Sequence, residues 1–156
     1  MKEVKHNQIY RVKRAEPEEL YPIRSEVLRP GREMAECIFP GDEDASTVHL
    51  LALSDDGEAA GIVSLYRVAL RDVNAMKPYQ LRGMATRAIF RGTGCGTTLL
   101  GAALDVCRGQ GADLVWCNAR ESAVSFYARA GFYGRGETFE IPNIGPHRKM
   151  CLSLLQ

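Results

Sequence analysis

The stretch YQLRGMATRAIFRGTGCGTTLLGAALDVCRGQGADLVWCN, Tyr79 to Asn118, decides the fold. It opens with YQLRGMAT (Tyr79 to Thr86), which reads as a strand, and RGTGCG (Arg91 to Gly96) follows as a glycine-rich turn. Leu99, Leu100, Ala103, Leu104 and Cys107 then fall on one face of a 3.6-residue period, and Gly111 is placed to stop that helix. DLVWCN (Asp113 to Asn118) is a short apolar strand. A strand, a helix and a strand in this order require a right-handed crossover and a parallel strand pair. The glycine turn lies where a strand meets a helix, the place where open sheets hold ligands.

Outward from this unit the chain alternates short elements. QIYRVKR (Gln8 to Arg14) alternates apolar and polar residues and predicts a first strand. PEELYPIRSEVL (Pro17 to Leu28) puts Leu20, Ile23, Val27 and Leu28 on one helical stripe, with Pro17 in the first turn and Pro30-Gly31 as the stop. Residues 31–47 read as a loop, then VHLLAL, SDDG and EAAGIVSLYRV as a hairpin. After the crossover, Asn118 and Glu121 resemble a capping box opening ARESAVSFYARA, which Gly131 ends. ETFEI and HRKMCLSL predict a last strand pair joined by PNIGP. The expected fold is α/β (α+β), a mixed sheet with helices packed on it. No boundary divides residues 1–156, so one domain is expected.

Composition narrows the class. With 46% apolar and 25% charged residues among 156, the chain is an ordinary globular sequence, and a net charge of +1 offers no overall field for nucleic acid or an acidic membrane. Cys37, Cys95, Cys107, Cys117 and Cys151 are odd in number and form no C-x-x-C pair, so neither a disulfide framework nor a metal site is expected, and a reducing cytoplasm is. MKEVKHNQIYRV has no apolar signal core, and no run approaches the ~20 residues of a membrane span.

The glycine turn has two readings on its own, a tight bend or a phosphate cradle at a helix N-terminus. Arg91, Thr97 and Thr98 add a guanidinium and two hydroxyls to the second. A Walker A loop requires lysine where CGTT has threonine. A dinucleotide fingerprint requires G-x-G-x-x-G and a ribose-binding acid after the next strand. Here the spacing is G-x-G-x-G, and the next strand ends in Asn118.

Arg91-x-x-Gly94-x-Gly96 resembles the pyrophosphate loop, [Q/R]-x-x-G-x-[G/A], of the GNAT superfamily of acyl-CoA-dependent N-acyltransferases. The likeness extends along nearly the whole chain in the expected order. VHLLALSDDGEAAGIVSLY resembles the family's second and third strands, YQLRGMAT its splayed fourth strand, and SAVSFYARAGF its A-x-x-x-Y-x-x-x-G-F segment. VLRPG and FEIPNIGPHRKMCL resemble a branch of small bacterial members. Two positions depart from the pattern. Ala88 stands where many relatives have proline, and Arg120 where many have asparagine, with Asn118 and Ser122 nearby.

The resemblance implies a single-domain, mostly antiparallel twisted sheet of six or seven strands with splayed parallel central strands. It implies acetyl-CoA as acyl donor, no metal, an amine acceptor on a small molecule, peptide or protein, and a monomer or homodimer. The backbone of Arg91, Gly92, Thr93, Gly94, Cys95, Gly96 and Thr97 would hold the pyrophosphate. Met84, Ala85 and Thr86 would pair with the pantetheine arm, and an N–H near Met84 or Ala85 would polarise the thioester carbonyl. Asn118 and Ser122 would belong to the cofactor side, and Tyr127 would protonate the leaving thiolate. His147, His49, Glu140 or water would deprotonate the amine. Cys95 and Cys117 read as packing residues, Trp116 as core, and GDED (Gly41 to Asp44) as a solvated acidic loop. Arg24, Arg29 and Arg120 read either as surface ion-pair residues or as holders of a substrate carboxylate. The same fold without turnover, an acyl-CoA sensor, is the competing reading.

Overall fold

The structure is a computed structural model and describes residues 5–154. Seven strands form one mixed sheet flanked by helices: β1 (Arg11–Ala15), β2 (Val48–Leu53), β3 (Ala59–Tyr66), β4 (Pro78–Thr86), β5 (Leu114–Arg120), β6 (Tyr133–Ile141) and β7 (Gly145–Ser153). Their order is β1-β2-β3-β4-β5-β7-β6. The helices are α1 (Pro17–Ile23), α2 (Cys95–Gly109) and α3 (Val124–Arg129). β1 with β2, β2 with β3, β5 with β7 and β6 with β7 run antiparallel. β4 and β5 are the parallel pair that the crossover demands, and their ladder spans only Pro78–Gln80 against Leu114–Trp116. The expected fold class holds, with seven strands.

The chain groups into two compact units, one of residues 1–66 and 83–106, the other of residues 67–82 and 107–156. In the first, Leu20, Ile23, Leu51, Ile62 and Ala85 form a core against which Val27 and Leu28 pack, so the helical stripe read from the sequence is real. The helix itself changes form. Pro22 lies inside α1, and Arg24–Leu28 continue as a π-helical turn, closed by an Arg29 N–H to Arg24 carbonyl bond of 2.9 Å. Proline has no N–H to give and crowds the carbonyl four residues back, a common reason for a helix to leave the i→i+4 pattern. β1 also starts later than the alternation suggested. Gln8 gives its N–H to the Thr93 carbonyl at 2.8 Å, outside the β1–β2 register.

The largest departure from the sequence reading is a buried polar network in this unit. Arg24 is fully buried, not at the surface, and Asp42 of the GDED loop is buried with it. Their ion pair is 2.6 Å long. Arg24 also donates to the Cys37 carbonyl, Ser64 Oγ and Tyr66 Oη, and its guanidinium lies 4.0 Å from the centre of the Phe39 ring. Asp42 accepts further bonds from the Phe39 N–H and the Tyr66 hydroxyl. His49 closes the set, with Nδ1 against Ser64 Oγ at 2.6 Å and Nε2 against the Asp42 carbonyl at 2.9 Å. Glu43 and Asp44 remain exposed, as a solvated loop requires. The network pins residues 37–42 onto β2 and β3.

The second unit contains β5, β7 and the edge strand β6. Leu70, Leu114, Trp116 and Cys151 form its core with Val73 and Ala75. The capping box at Asn118 does not form. β5 runs through Arg120, a 3₁₀ turn occupies Glu121–Ala123, and the N-cap of α3 is Ala123. The stop at Gly131 does form. Gly131 adopts φ +101° and gives its N–H to the Ala128 carbonyl, while the Phe132 N–H reaches the Tyr127 carbonyl. This is a Schellman ending, and its usual apolar contact is present, with the Tyr127 and Phe132 rings 5.4 Å apart. Gly111 ends α2 in the same way, with Ala112 bonded to Cys107 and Gly111 to Arg108.

Two predictions follow from these features. Asp42→Ala leaves a buried guanidinium uncompensated and should cost about 3–5 kcal/mol in urea unfolding. Burial raises the Asp42 pKa, but the bonds from Arg24, Tyr66 and the Phe39 N–H outweigh it and hold the group below the ordinary carboxylate value. Its contribution is therefore complete above about pH 4 and is lost as pH falls through the lower folded value. An acid limb of equal steepness in wild type and Asp42→Ala would remove Asp42 as its source. Gly131→Ala and Gly111→Ala should each cost about 1–2 kcal/mol from left-handed strain. An added Cβ would meet only Leu152 at 3.5 Å in the first case and nothing within 4 Å in the second. A Gly131 variant several-fold worse than its Gly111 counterpart would mean that strain is not the cause.

Candidate functional site

All the residues expected to hold the cofactor except Asn118 and Ser122 fall between Met84 and Thr97, in the first unit. Met84, Ala85 and Thr86 end β4, and Arg87 gives its N–H to the Ala60 carbonyl at 2.9 Å. Ala88–Phe90 make a 3₁₀ turn, Arg91 to Gly94 bend, and Cys95, Gly96 and Thr97 form the first turn of α2. Gly92 and Gly94 have φ of +76° and +89°, so both bends use the left-handed region that glycine enters without strain. Gly96 is not among the positive-φ residues. Thr98 closes the first helical bond onto the Gly94 carbonyl at 3.0 Å. Gly94 is thus the residue before the helix and has no side chain to cap it. The N–H groups of Cys95, Gly96 and Thr97 have no intrahelical acceptor, and the helix dipole adds positive potential there. A group of negative oxygens fits this end.

The side chains around the bend have separate tasks. Arg91 is exposed, and its Nε lies 3.4 Å from the Thr86 carbonyl. Thr97 is exposed, whereas Thr93 is buried, with its hydroxyl committed to the Phe90 carbonyl and to Tyr10. Thr93 therefore shapes the bend from inside. Cys95 is buried too, and its sulfur would lie 2.8 Å from a Cβ on Gly61, so the pair fits only because residue 61 is glycine. Burial raises the Cys95 thiol pKa, which suits packing and not nucleophilic work.

Sequence reasoning did not foresee a strap over this bend. Besides the Gln8 bond, Asn7 Oδ1 would lie 3.3 Å from a Cβ on Gly94, and Lys5 Nζ reaches the Ile89 carbonyl at 3.3 Å. These contacts join residues more than eighty positions apart, and no local pattern signals them.

In the second unit, Tyr127 is buried on α3 with Phe126 and Phe132 against its ring. Burial first, and the nearby Cys117 second, push its phenol pKa upward, so it stays protonated throughout the neutral range. Cys117 is raised to about 12 by burial and then by Cys151, which keeps it a thiol. Ser122 is exposed in the turn before α3. Asn118 lies in β5 opposite Lys149, and its Oδ1 is 3.4 Å from Lys149 Nζ.

The three candidate bases differ clearly. His49 has both ring nitrogens engaged in the Arg24–Asp42 network and retains no lone pair for an amine. Glu140 is exposed and pairs with Pro146, one residue out of phase with the Phe139–His147 pair, so it points to the other face. His147 has Nδ1 at 2.7 Å from the Gly145 carbonyl. A carbonyl only accepts, so Nδ1 carries the proton, and the neutral ring has its lone pair on Nε2.

Among the described residues no group of three or more His, Cys, Asp or Glu side chains is disposed to hold a metal ion, and no helix is long and apolar enough to cross a membrane.

Comparison with known proteins agrees with this arrangement. The family model described as Acetyltransferase (GNAT) family matches residues 7–132. The uncharacterised N-acetyltransferase YitI of Bacillus subtilis (strain 168) is 34% identical over 143 residues, covering 92% of this chain and 95% of that protein. Two solved structures share the fold. Ard1 from Thermoplasma volcanium superposes with a TM-score of 0.74 at 19% identity, over 94% of this chain and 99% of its own. Escherichia coli ElaA superposes at 0.73 and 20% identity, over 92% and 99%. The bend, the strand before it and the helix that carries Tyr127 are thus found in a sequence whose relatives are acetyltransferases. The chain belongs to the GNAT family and is an acetyltransferase.

Proposed function

We propose that this enzyme moves an acetyl group from acetyl-CoA to a primary amine by direct attack in a ternary complex. The observation that carries this reading is the start of α2 directly behind two left-handed glycines. Three backbone N–H groups there have no intrahelical acceptor and Gly94 has no side chain to cap them, so the pyrophosphate of coenzyme A would present suitable oxygens. In this reading Arg91 adds charge at the rim, and the backbone of Met84, Ala85 and Thr86 pairs with the pantetheine amides. A backbone N–H at Met84 or Ala85 stabilises the negative charge that develops on the thioester oxygen. Ser122 and the free amide NH2 of Asn118 belong to the cofactor side.

Tyr127 is the general acid. Its phenol stays protonated throughout the neutral range and so has a proton to give the leaving thiolate. His147 is the base, directly or through one water, since Nε2 is the lone-pair nitrogen of its neutral form. An alkyl ammonium of pKa about 10.4 must lose a proton before it can attack.

Three substitutions test this reading. Tyr127→Phe should lower kcat by about 10²- to 10⁴-fold while leaving the Kd for acetyl-CoA unchanged. Gly94→Val should abolish the rise in melting temperature that acetyl-CoA causes, measured on the fraction that remains folded. Its Cβ enters a strained φ and meets Asn7 at 3.3 Å. His147→Gln should lower kcat/KM by about 10²-fold, with partial recovery at high pH where the amine is already neutral. Tight acetyl-CoA binding with no thiol release across a broad amine screen would sink the transfer reading and leave an acyl-CoA sensor.

A further inference from the structure

One face of the second unit carries three cations to which the transfer reading gives no task. Residues directly opposite in antiparallel strands share a face. The registers of β5, β7 and β6 therefore put Arg120, His147 and Phe139 in one row, and Asn118, Lys149 and Arg135 in the next. A third row, Trp116, Cys151 and Tyr133, borders the core under residues 67–77. That loop is fixed in place. Trp116 Nε1 donates to the Val68 carbonyl at 2.9 Å, and the Asp113 carboxylate accepts the N–H groups of Met76 and Lys77 at 2.7 and 2.9 Å.

Three cations stand on this face, and no carboxylate lies within ion-pair distance of Arg120, Arg135 or Lys149 among the described residues. Asp72 offers Arg135 only its main-chain carbonyl, at 3.4 Å. Lys149 is half-buried and already oriented, 4.4 Å over the Phe139 ring and bonded to Asn118. Exposed cations without partners occur on many surfaces. A half-buried lysine held by an aromatic ring and an amide, beside the free nitrogen of a buried histidine, is a more specific arrangement.

We infer that this face is an anion subsite for the acceptor, so that the amine this enzyme acetylates also bears a carboxylate or a phosphate group held by Lys149, Arg120 and Arg135. The inference rests on the transfer reading with His147 as base, and it names the acceptor's chemical class. The anion would dock on the second row and the arginines while the amine turns toward His147 Nε2. Phe139, between them, offers an apolar surface for the carbon chain that joins the two groups. Lys149, Arg120 and Arg135 are specificity residues, since they touch a part of the acceptor that does not react.

The test uses the full chain, acetyl-CoA and matched amine pairs that differ only in the anion: L-phenylalanine with phenethylamine, L-glutamate with 4-aminobutyrate, and O-phosphoethanolamine with ethanolamine. Thiol release should give at least a tenfold higher kcat/KM for the member with the additional anion in one or more pairs. The phenylalanine and phosphoethanolamine arms separate carboxylate from phosphate. For that member, Lys149→Gln and Arg120→Gln should each raise KM by about 10- to 100-fold with a smaller change in kcat, as loss of a charge-assisted bond predicts. Lys149→Arg should recover part of the loss, and Arg129→Gln, an exposed cation on α3, should not change KM. Equal or better turnover of the less anionic members, or an unchanged KM in both Gln variants, overturns the inference and leaves the transfer reading standing. If no member of the panel turns over, amide chemical shifts decide the subsite separately. Movement of β5 and β7 signals on adding O-phosphoethanolamine or L-glutamate, absent in Lys149→Gln, supports the anion subsite. No movement with either probe overturns it.

Discussion

Three residue pairs, Pro78 to Gln80 against Leu114 to Trp116, make up the parallel ladder on which the rest of the arrangement depends. β1–β2, β2–β3, β5–β7 and β6–β7 are antiparallel, and a hairpin turn suffices to make two of them. A parallel pair has no short connection, so the chain must leave β4, travel back along a helix and re-enter as β5. That obligation is what produces α2, and it fixes the start of α2 just beyond the end of β4. A helix start behind two left-handed glycines, a few residues past a strand end, is the feature on which the cofactor reading rests.

The parts legible in the sequence were those encoded by local periodicity and local backbone demand. The buried stripe of α2 was readable from Leu99, Leu100, Ala103, Leu104 and Cys107, all of which are buried. The ends of α2 and α3 were readable because Gly111 and Gly131 sit where only a left-handed residue can close the helix. What the sequence hid was long-range. Arg24 and Asp42 look like surface charges because their types usually are. Only the folded chain brings four further polar partners within reach and removes water from both. The Thr93 hydroxyl is an internal strut that no local pattern announces, because its partner Tyr10 lies 83 residues away. Asn118 and Glu121 had the spacing of a cap, yet β5 pairing with β7 continues through Arg120 and prevails over the local signal.

The Arg24–Asp42 network explains how a loop rich in charge can be held firmly in a small protein. An ion pair removed from water rarely gains much over an apolar substitute. Its value here is geometric: a guanidinium has five N–H groups in one plane, and its four partners tie residues 37–42 to β3. The loop therefore has one arrangement in which all acceptors are satisfied. His49 joins the same set through both ring nitrogens, so the network also consumes a histidine that the sequence offered as a catalytic candidate.

The division into two units alters what the overall charge means. A total of +1 suggested that the protein exerts no field of its own. Residues 67–82 and 107–156 contain ten Lys and Arg against five Asp and Glu, while the remainder contains ten against fourteen. The near-neutral total is thus a cancellation between an acidic unit and a basic one. Within roughly 10 Å of the surface at 0.1 M salt, a solute meets the local charge and not the sum. The net charge of the whole chain is therefore a poor guide to the field beside either unit, and added salt screens those local charges while leaving the chain's isoelectric point unchanged.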